Sequence, residues 1–223
     1  MSEIGVSTPR KESWDKVTGR AKYNGDNDTS DMLYAKMLTS TYAHALIKHI
    51  DTKKALKSAG VQAIITGDFL PVLSGSVIED RPPIAVDKVR HFGEIVAVVV
   101  ANSEKEAAKA IELIDVEYEP LPVVNSIQDS LKQDTQLIHE KLGEYHCIAK
   151  DVHPQAGTNI ADHIKIRKGD ISTGWTESDV TVESSFVLPQ SDHLAMETRN
   201  TIAEILPDGN VIINRSEERR VGK

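Results

Sequence analysis

The sequence predicts an α+β (mixed α/β) protein, and three observations carry that prediction. Short β-branched runs recur along the chain, brief helical patterns stand between them, and a strong hairpin signal closes the last third. Taken in order, residues 1–30 are polar and turn-rich, an approach segment with a short strand expected around Arg20–Tyr23. "MLYAKMLTST" (32–41) fits a half-buried strand interrupted by Lys36. "DTKKALKSAG" (51–60) reads as a helix, with Asp51 as N-cap, Ala55, Leu56 and Ala59 on one face, and Gly60 as its stop. "VQAIITG" (61–67) is then a strand, and the Gly/Pro-rich stretch 67–83 ends in "RPPI", where no helix can form.

The best-defined unit is "GEIVAVVVANSEKEAAKAIELIDVEYEPLP", Gly93 to Pro122. Its "IVAVVV" is an almost continuous β-branched run, which predicts a strand covered on both faces. Ser103 with Glu106 three positions on predicts a capping box, each side chain satisfying an orphan backbone N–H. Ala107, Ile111 and Ile114 form one apolar stripe, with Lys105, Lys109 and Glu112 facing water. "DVEYEPLP" alternates like an edge strand closed by proline. From Asn125 the texture turns polar, a long linker with one short helix near 126–132. "DVTVESSFVLP" (179–189) alternates as a strand, and "TIAEILPDGNVIIN" (201–214) is the hairpin, turning at Pro-Asp-Gly-Asn.

Composition excludes more than it selects. At 223 residues the chain can bury a sizeable core, and 39% hydrophobic with 27% charged residues is ordinary for a globular protein. A net charge of −8 argues against nucleic acid or an anionic membrane as partner. The single cysteine, Cys147, rules out an internal disulfide and a cysteine-held iron–sulfur centre. The first residues lack the apolar core of a secretory signal, and "IVAVVVA" is too short to span a bilayer, so a cytoplasmic location is expected.

Local motifs show no reaction centre. His193 and Glu197, four apart, could pair on a helix, but their flanks are strand-like and no third ligand stands at metal spacing, so a structural role is expected. His146, Cys147, His153 and His163 lie in a polar linker without standard zinc spacing. No glycine belongs to a phosphate-cradling loop. The expected assignment is therefore no catalytic, no cofactor-binding and no metal-ligating residue within 1–223.

The order of softer landmarks says more. "KVTGRAKYNGD" (16–26), "AHALIKHIDTKKALKSAGVQAIITGDFLP" (43–71) and "VRHFGEIVAVVVANSEKEAAKAIELIDVEYEPLPVV" (89–124) resemble the α/β hammerhead domain of the xanthine dehydrogenase/aldehyde oxidase family. "LIHE" (137–140), "GTNIADHIKIRKGD" (157–170) and "HLAMET" with the hairpin behind it (193–214) resemble the start of that family's molybdenum-cofactor-binding domain. The resemblance implies an approach segment 1–17, a hammerhead domain 18–124, a linker 125–159, and an incomplete start of the cofactor domain 160–214. It implies a molybdenum hydroxylase, which inserts water-derived oxygen into a purine, aldehyde or N-heterocycle. The cofactor would be molybdopterin, possible as the cytosine dinucleotide form, with [2Fe–2S] clusters and FAD on partner subunits or domains. "KESWDKVTGRAKY" leans towards the bacterial purine-oxidising type.

The family's cofactor-contacting glutamine, pterin loop, substrate-binding arginine and catalytic glutamate have no counterpart in 1–223, so the chain is expected to be inactive alone. "HLAMET" then has a packing and hydrogen-bonding role. "RSEERRVGK" (215–223) departs from the pattern and reads like a translated sequencing adapter, which makes it an expected non-native tail. The alternative is a non-catalytic hammerhead module serving subunit assembly.

Overall fold

The computed structural model describes residues 4–27, 29–192, 194–195 and 197–216. Its helices are α1 (Ser13–Val17), α2 (Lys53–Leu56), α3 (Glu104–Ile111), α4 (Ile127–Ser130) and α5 (Ile171–Glu177). Its strands are β1 (Tyr34–Thr39), β2 (Ala45–Asp51), β3 (Val61–Thr66), β4 (Lys88–Val89), β5 (Ile95–Ala101), β6 (Asp115–Pro120), β7 (Thr201–Ile205) and β8 (Val211–Arg215). They fall into two compact units, 31–176 and the pair of segments 1–30 with 177–223.

The 31–176 unit holds two three-stranded sheets, ordered β1-β5-β3 and β4-β2-β6, with every pair antiparallel. β5 is central, and its unbroken apolar run follows from what it touches. Val99 and Ala101, fully buried, join Ala55 of α2 and Ala107 and Ala110 of α3 in one core. Val96, pointing the other way along the pleat, joins Ala45, Ala85 and Val89 in a second. Small residues at Ala55, Ala107 and Ala110 let both helices lie close on the sheet.

The strand–helix–strand patterns do not make parallel pairs. β2 and β3, which flank α2, belong to different sheets, and so do β5 and β6, which flank α3. The 52–60 connection is shorter than the roughly dozen residues a parallel crossover needs, and each helix moves the chain from one sheet to the other.

Several local expectations are corrected. The 51–60 helix shrinks to Lys53–Leu56, because β2 runs on to Asp51, which pairs with Asp115 of β6. Asp51 Oδ1 still accepts the Lys53 N–H at 3.0 Å, but Thr52 is the N-cap residue. No strand forms at Arg20–Tyr23; the Arg20 and Ala21 N–H groups donate to the Asp15 carbonyl at 2.8 and 3.0 Å, closing α1. The alternating stretch 179–189 forms no strand either, although α5 just before it does form a helix, capped by Asp170 Oδ1 on the Ser172 N–H at 2.9 Å.

Gly60 has φ +80°, so the turn favours glycine, and an added Cβ would meet the end of the Glu106 side chain. The start of α3 also differs in detail. Ser103 Oγ accepts the Glu106 N–H at 3.3 Å, while the Glu106 carboxylate takes the Ser103 hydroxyl at 2.8 Å rather than a backbone N–H. Ser103→Ala removes both bonds and is expected to cost about 1 kcal/mol. The check is a lower urea midpoint with unchanged slope for loss of the α3 signal.

In the other unit β7 and β8 form the expected hairpin, turning over 206–210, with Gly209 at φ +86°. The ladder runs to Thr201–Arg215, and Ser216 continues it through bonds to Asn200. Of the charged end 215–223, residues 217–223 lie outside the described ones. The hairpin also holds the early turn of the chain. Asn24 Nδ2 donates to Asn200 Oδ1 at 2.6 Å and to the Asn214 carbonyl at 3.3 Å.

Candidate functional site

His193 lies outside the described residues. Glu197, its sequence partner, accepts the Asn24 N–H at 2.9 Å and so ties the early turn to the segment before β7. The linker histidines go separate ways. His146 meets Glu79 at 2.9 Å, and the His153 N–H donates to Asp162 at 3.2 Å. Cys147 is partly buried beside the Ile78 backbone, its thiol 3.9 Å from the Tyr145 carbonyl. Among the described residues no three His, Cys, Asp or Glu side chains are placed to hold a metal ion.

The chemistry-bearing groups that the fold does bring together lie elsewhere, where the "LIHE" segment crosses β4 and the loop behind it. Pairing of β4 with β2 at Ala45–Val89 and Leu46–Lys88 fixes the base of this region. The loop 90–94 is then held by two bonds to Ser40 and by Glu94, 6% exposed, whose Oε2 accepts the Arg90 N–H at 2.5 Å.

Onto this base the chain lays residues 137–140. Lys88, with a side chain 3% exposed, reaches Glu140 at 2.6 Å and the Leu137 carbonyl at 3.3 Å. Arg90 donates Nε to the Ile138 carbonyl at 3.2 Å and Nη1 to the Lys88 carbonyl at 3.1 Å. Asn159 closes the other side, accepting the Ile138 N–H at 2.9 Å and donating to the Gln136 carbonyl at 3.0 Å. His139 packs edge-on to Tyr145, centroids 5.7 Å apart, with Asp80 3.8 Å from Nε2. A cleft of about 140 Å³ remains, lined by Asp80, Arg81, Arg90, His91, Glu94 and His139.

The electrostatics follow from burial. Desolvation and the Arg90 guanidinium hold His139 below the ordinary imidazole range, against an opposing pull from Asp80. Burial pushes Glu140 up, but the hydrogen bond and charge of Lys88 outweigh it and leave the carboxyl below its usual range. Burial likewise raises the Tyr145 phenol.

Both depressed groups act on stability with the same sign. The unfolded chain binds more protons than the folded one, so their contribution is present above the unfolded values and disappears as pH falls. For His139 the loss begins near pH 6.5, and for Glu140 below about pH 4.5, in each case running down to the folded value. The 31–176 unit is therefore expected to lose stability stepwise on acidification. His139→Gln should remove the upper step and leave the lower one, as read by amide exchange of β4 and β5 between neutral and mildly acid pH.

One usable sequence signal pointed to this region, the "LIHE" landmark. Nothing local in "DKVRHFGE" marks its charged residues for burial, yet the fold buries Lys88 and Glu94.

Known proteins share this architecture. The family model described as "Aldehyde oxidase and xanthine dehydrogenase, a/b hammerhead domain" matches residues 18–122, and that of the "Molybdopterin cofactor-binding domain" matches 152–218. A probable xanthine dehydrogenase subunit of Bacillus subtilis (strain 168) is 37% identical over 91% of this chain and 25% of its own length. The nicotinate dehydrogenase large molybdopterin subunit of Eubacterium barkeri is 30% identical over 87% of this chain and 42% of its own length. Among solved structures, quinoline 2-oxidoreductase from Pseudomonas putida 86 superposes with a TM-score of 0.74 at 29% identity, over 95% of this chain and 26% of that one. The Cu,Mo-CO dehydrogenase does so with 0.76 at 28% identity, over 94% and 27%. The chain thus spans about a quarter and about two-fifths of the lengths of these two curated relatives. Among the described residues no helix is long and apolar enough to cross a membrane.

Proposed function

We propose, from the premise that the chain belongs to the aldehyde oxidase and xanthine dehydrogenase family, that it is the N-terminal part of the molybdenum-binding subunit of a hydroxylase. The observation that carries this reading is the succession of two domain models of one enzyme architecture, hammerhead then cofactor-binding, along 18–218. The reaction would be the hydroxylation of a purine, aldehyde or N-heterocycle with oxygen from water. Molybdopterin, or its cytosine dinucleotide form, would supply the metal centre when bound, and [2Fe–2S] and FAD on partner subunits or domains would carry the electrons away. The complex would work in the cytoplasm on a small-molecule substrate, without nucleic acid or membrane.

Among the described residues no three His, Cys, Asp or Glu side chains stand together as a set of metal ligands. We propose no catalytic, cofactor-binding or metal-binding role for any residue of 1–223, and route no chemical step through this chain. Its part is architectural: the 31–176 unit presents two sheets and the latched 137–140 segment.

The test is metal analysis of the purified chain, together with assay of xanthine, hypoxanthine and nicotinate oxidation. Molybdenum far below one per chain and no turnover are expected. The same measurements on a chain extended to the length of its relatives should give both metal and turnover. Stoichiometric molybdenum and purine oxidation by residues 1–223 alone would overturn the assignment of an incomplete site, and no metal in the extended chain would overturn the enzyme reading.

A further inference from the structure

We propose that the cleft between the 80–82 turn, the 90–94 loop and residues 138–139 is a binding site for a small carboxylate, gripped by the guanidinium groups of Arg81 and Arg90. Its volume of about 140 Å³ suits an acid of a few heavy atoms with one or two waters. It is well below the roughly 300–1,000 Å³ of pockets that enclose larger ligands.

The cations have capacity to spare for an anion. Arg90 spends Nε and Nη1 on the Ile138 and Lys88 carbonyls, while its Nη2 makes no hydrogen bond among the described residues. Arg81 is fixed through its backbone, which exchanges hydrogen bonds with Ser74 at 2.8 and 3.0 Å. Among the described residues its guanidinium makes no ion pair. Of the two lining acids, Glu94 holds the Arg90 N–H and Asp80 faces His139.

The ring of His139 reports the balance. There the influence of Arg90 outranks that of Asp80. Carboxylate fits better than phosphate on shape. The guanidinium fork matches a planar pair of oxygens, and Pro82 and Ile138 give the carbon substituent an apolar wall.

The experiment titrates the isotopically labelled full chain with sodium acetate at constant ionic strength, sodium chloride being the reference. Side-chain resonances of Arg81, Arg90 and His139 are followed. Saturable shifts at these residues are expected, with Arg81→Ala weakening binding about tenfold and Arg81→Lys falling between the two. An unchanged melting curve for Arg81→Ala verifies that its fold is intact, since only the exposed side chain is removed. Acetyl-glycyl-glycine is run in parallel: tighter binding than acetate assigns the site to the C-terminal carboxylate of another chain, weaker binding to a free small acid, and both support a carboxylate site. Shifts no larger than those with chloride would overturn the proposal. So would undiminished binding by Arg81→Ala, or inorganic phosphate binding as tightly as acetate.

Discussion

Replacing Glu140 by alanine is expected to destabilise the 31–176 unit by about 2 kcal/mol, whereas Lys88→Met should leave it within about 1 kcal/mol of the parent. The asymmetry comes from where the two partners sit. Lys88 is almost fully enclosed, at 3% side-chain exposure, while Glu140 is 54% exposed. Removing the carboxylate leaves an ammonium in the protein with only the Leu137 carbonyl, at 3.3 Å, to solvate it. Removing the ammonium frees a carboxylate that water already reaches, and methionine fills the volume of the lysine stem. The full 3–5 kcal/mol known for broken buried pairs is not expected here, because Glu140 is screened by solvent. Native-state amide exchange of β4 and β5 is the right measurement, since a chain of two units has no single melting free energy. If Lys88→Met costs as much as Glu140→Ala, the ammonium is a net stabiliser and this account fails.

Gly67→Ala is the second large effect, with an expected cost of about 2–3 kcal/mol. Gly67 opens the 3₁₀ turn 67–69, and an added Cβ would overlap the Ala85 carbonyl and lie 2.9 Å from the Val86 Cα. Both obstacles are backbone, and Ala85 belongs to the core shared with Val89 and Val96, so relief of the clash must move that core. Gly60→Ala is a useful contrast. There the obstacle is the end of the Glu106 side chain, which can swing away, leaving mainly the left-handed backbone penalty of about 1 kcal/mol. Urea titration with exchange detected at Val96 should rank the two in that order, and a smaller effect at Gly67 than at Gly60 would contradict the packing argument.

Much of this fold was legible where one periodicity dominates. β5 declares itself by its β-branched run, α3 by its capping residues and apolar stripe, and the β7–β8 hairpin by its turn. What sequence could not show is which strands pair. The order β4-β2-β6 joins residues some 70 positions apart, and that pairing carries β2 through Asp51 at the expense of the helix predicted there. The 179–189 stretch teaches the converse lesson. Its alternation is real, yet Val182 and Phe186 are 81% and 84% exposed, because a strand exists only with a partner and none of the described strands pairs with it. The "LIHE" landmark marked the latched segment, but its bond to Lys88 was invisible for a related reason. A lysine in a loop-like string is ordinarily solvated, and only the tertiary pairing encloses Lys88.

The bond from Asn24 to Glu197 spans 173 positions, and it has a consequence for how the protein is made. A ribosome adding roughly 5–20 residues per second releases the first thirty residues on the order of 10–30 s before their hairpin partner exists. Over that interval the early segment has nothing to dock on, while the 31–176 unit can already close its sheets. Protease probing of ribosome-stalled chains should therefore find residues 4–27 cleavable until residue 216 has left the exit tunnel, and protected afterwards. Protection in chains stalled near 180 would show that the segment docks by some other contact. Synthesis order thus makes the beginning of this chain one of the last parts to fold.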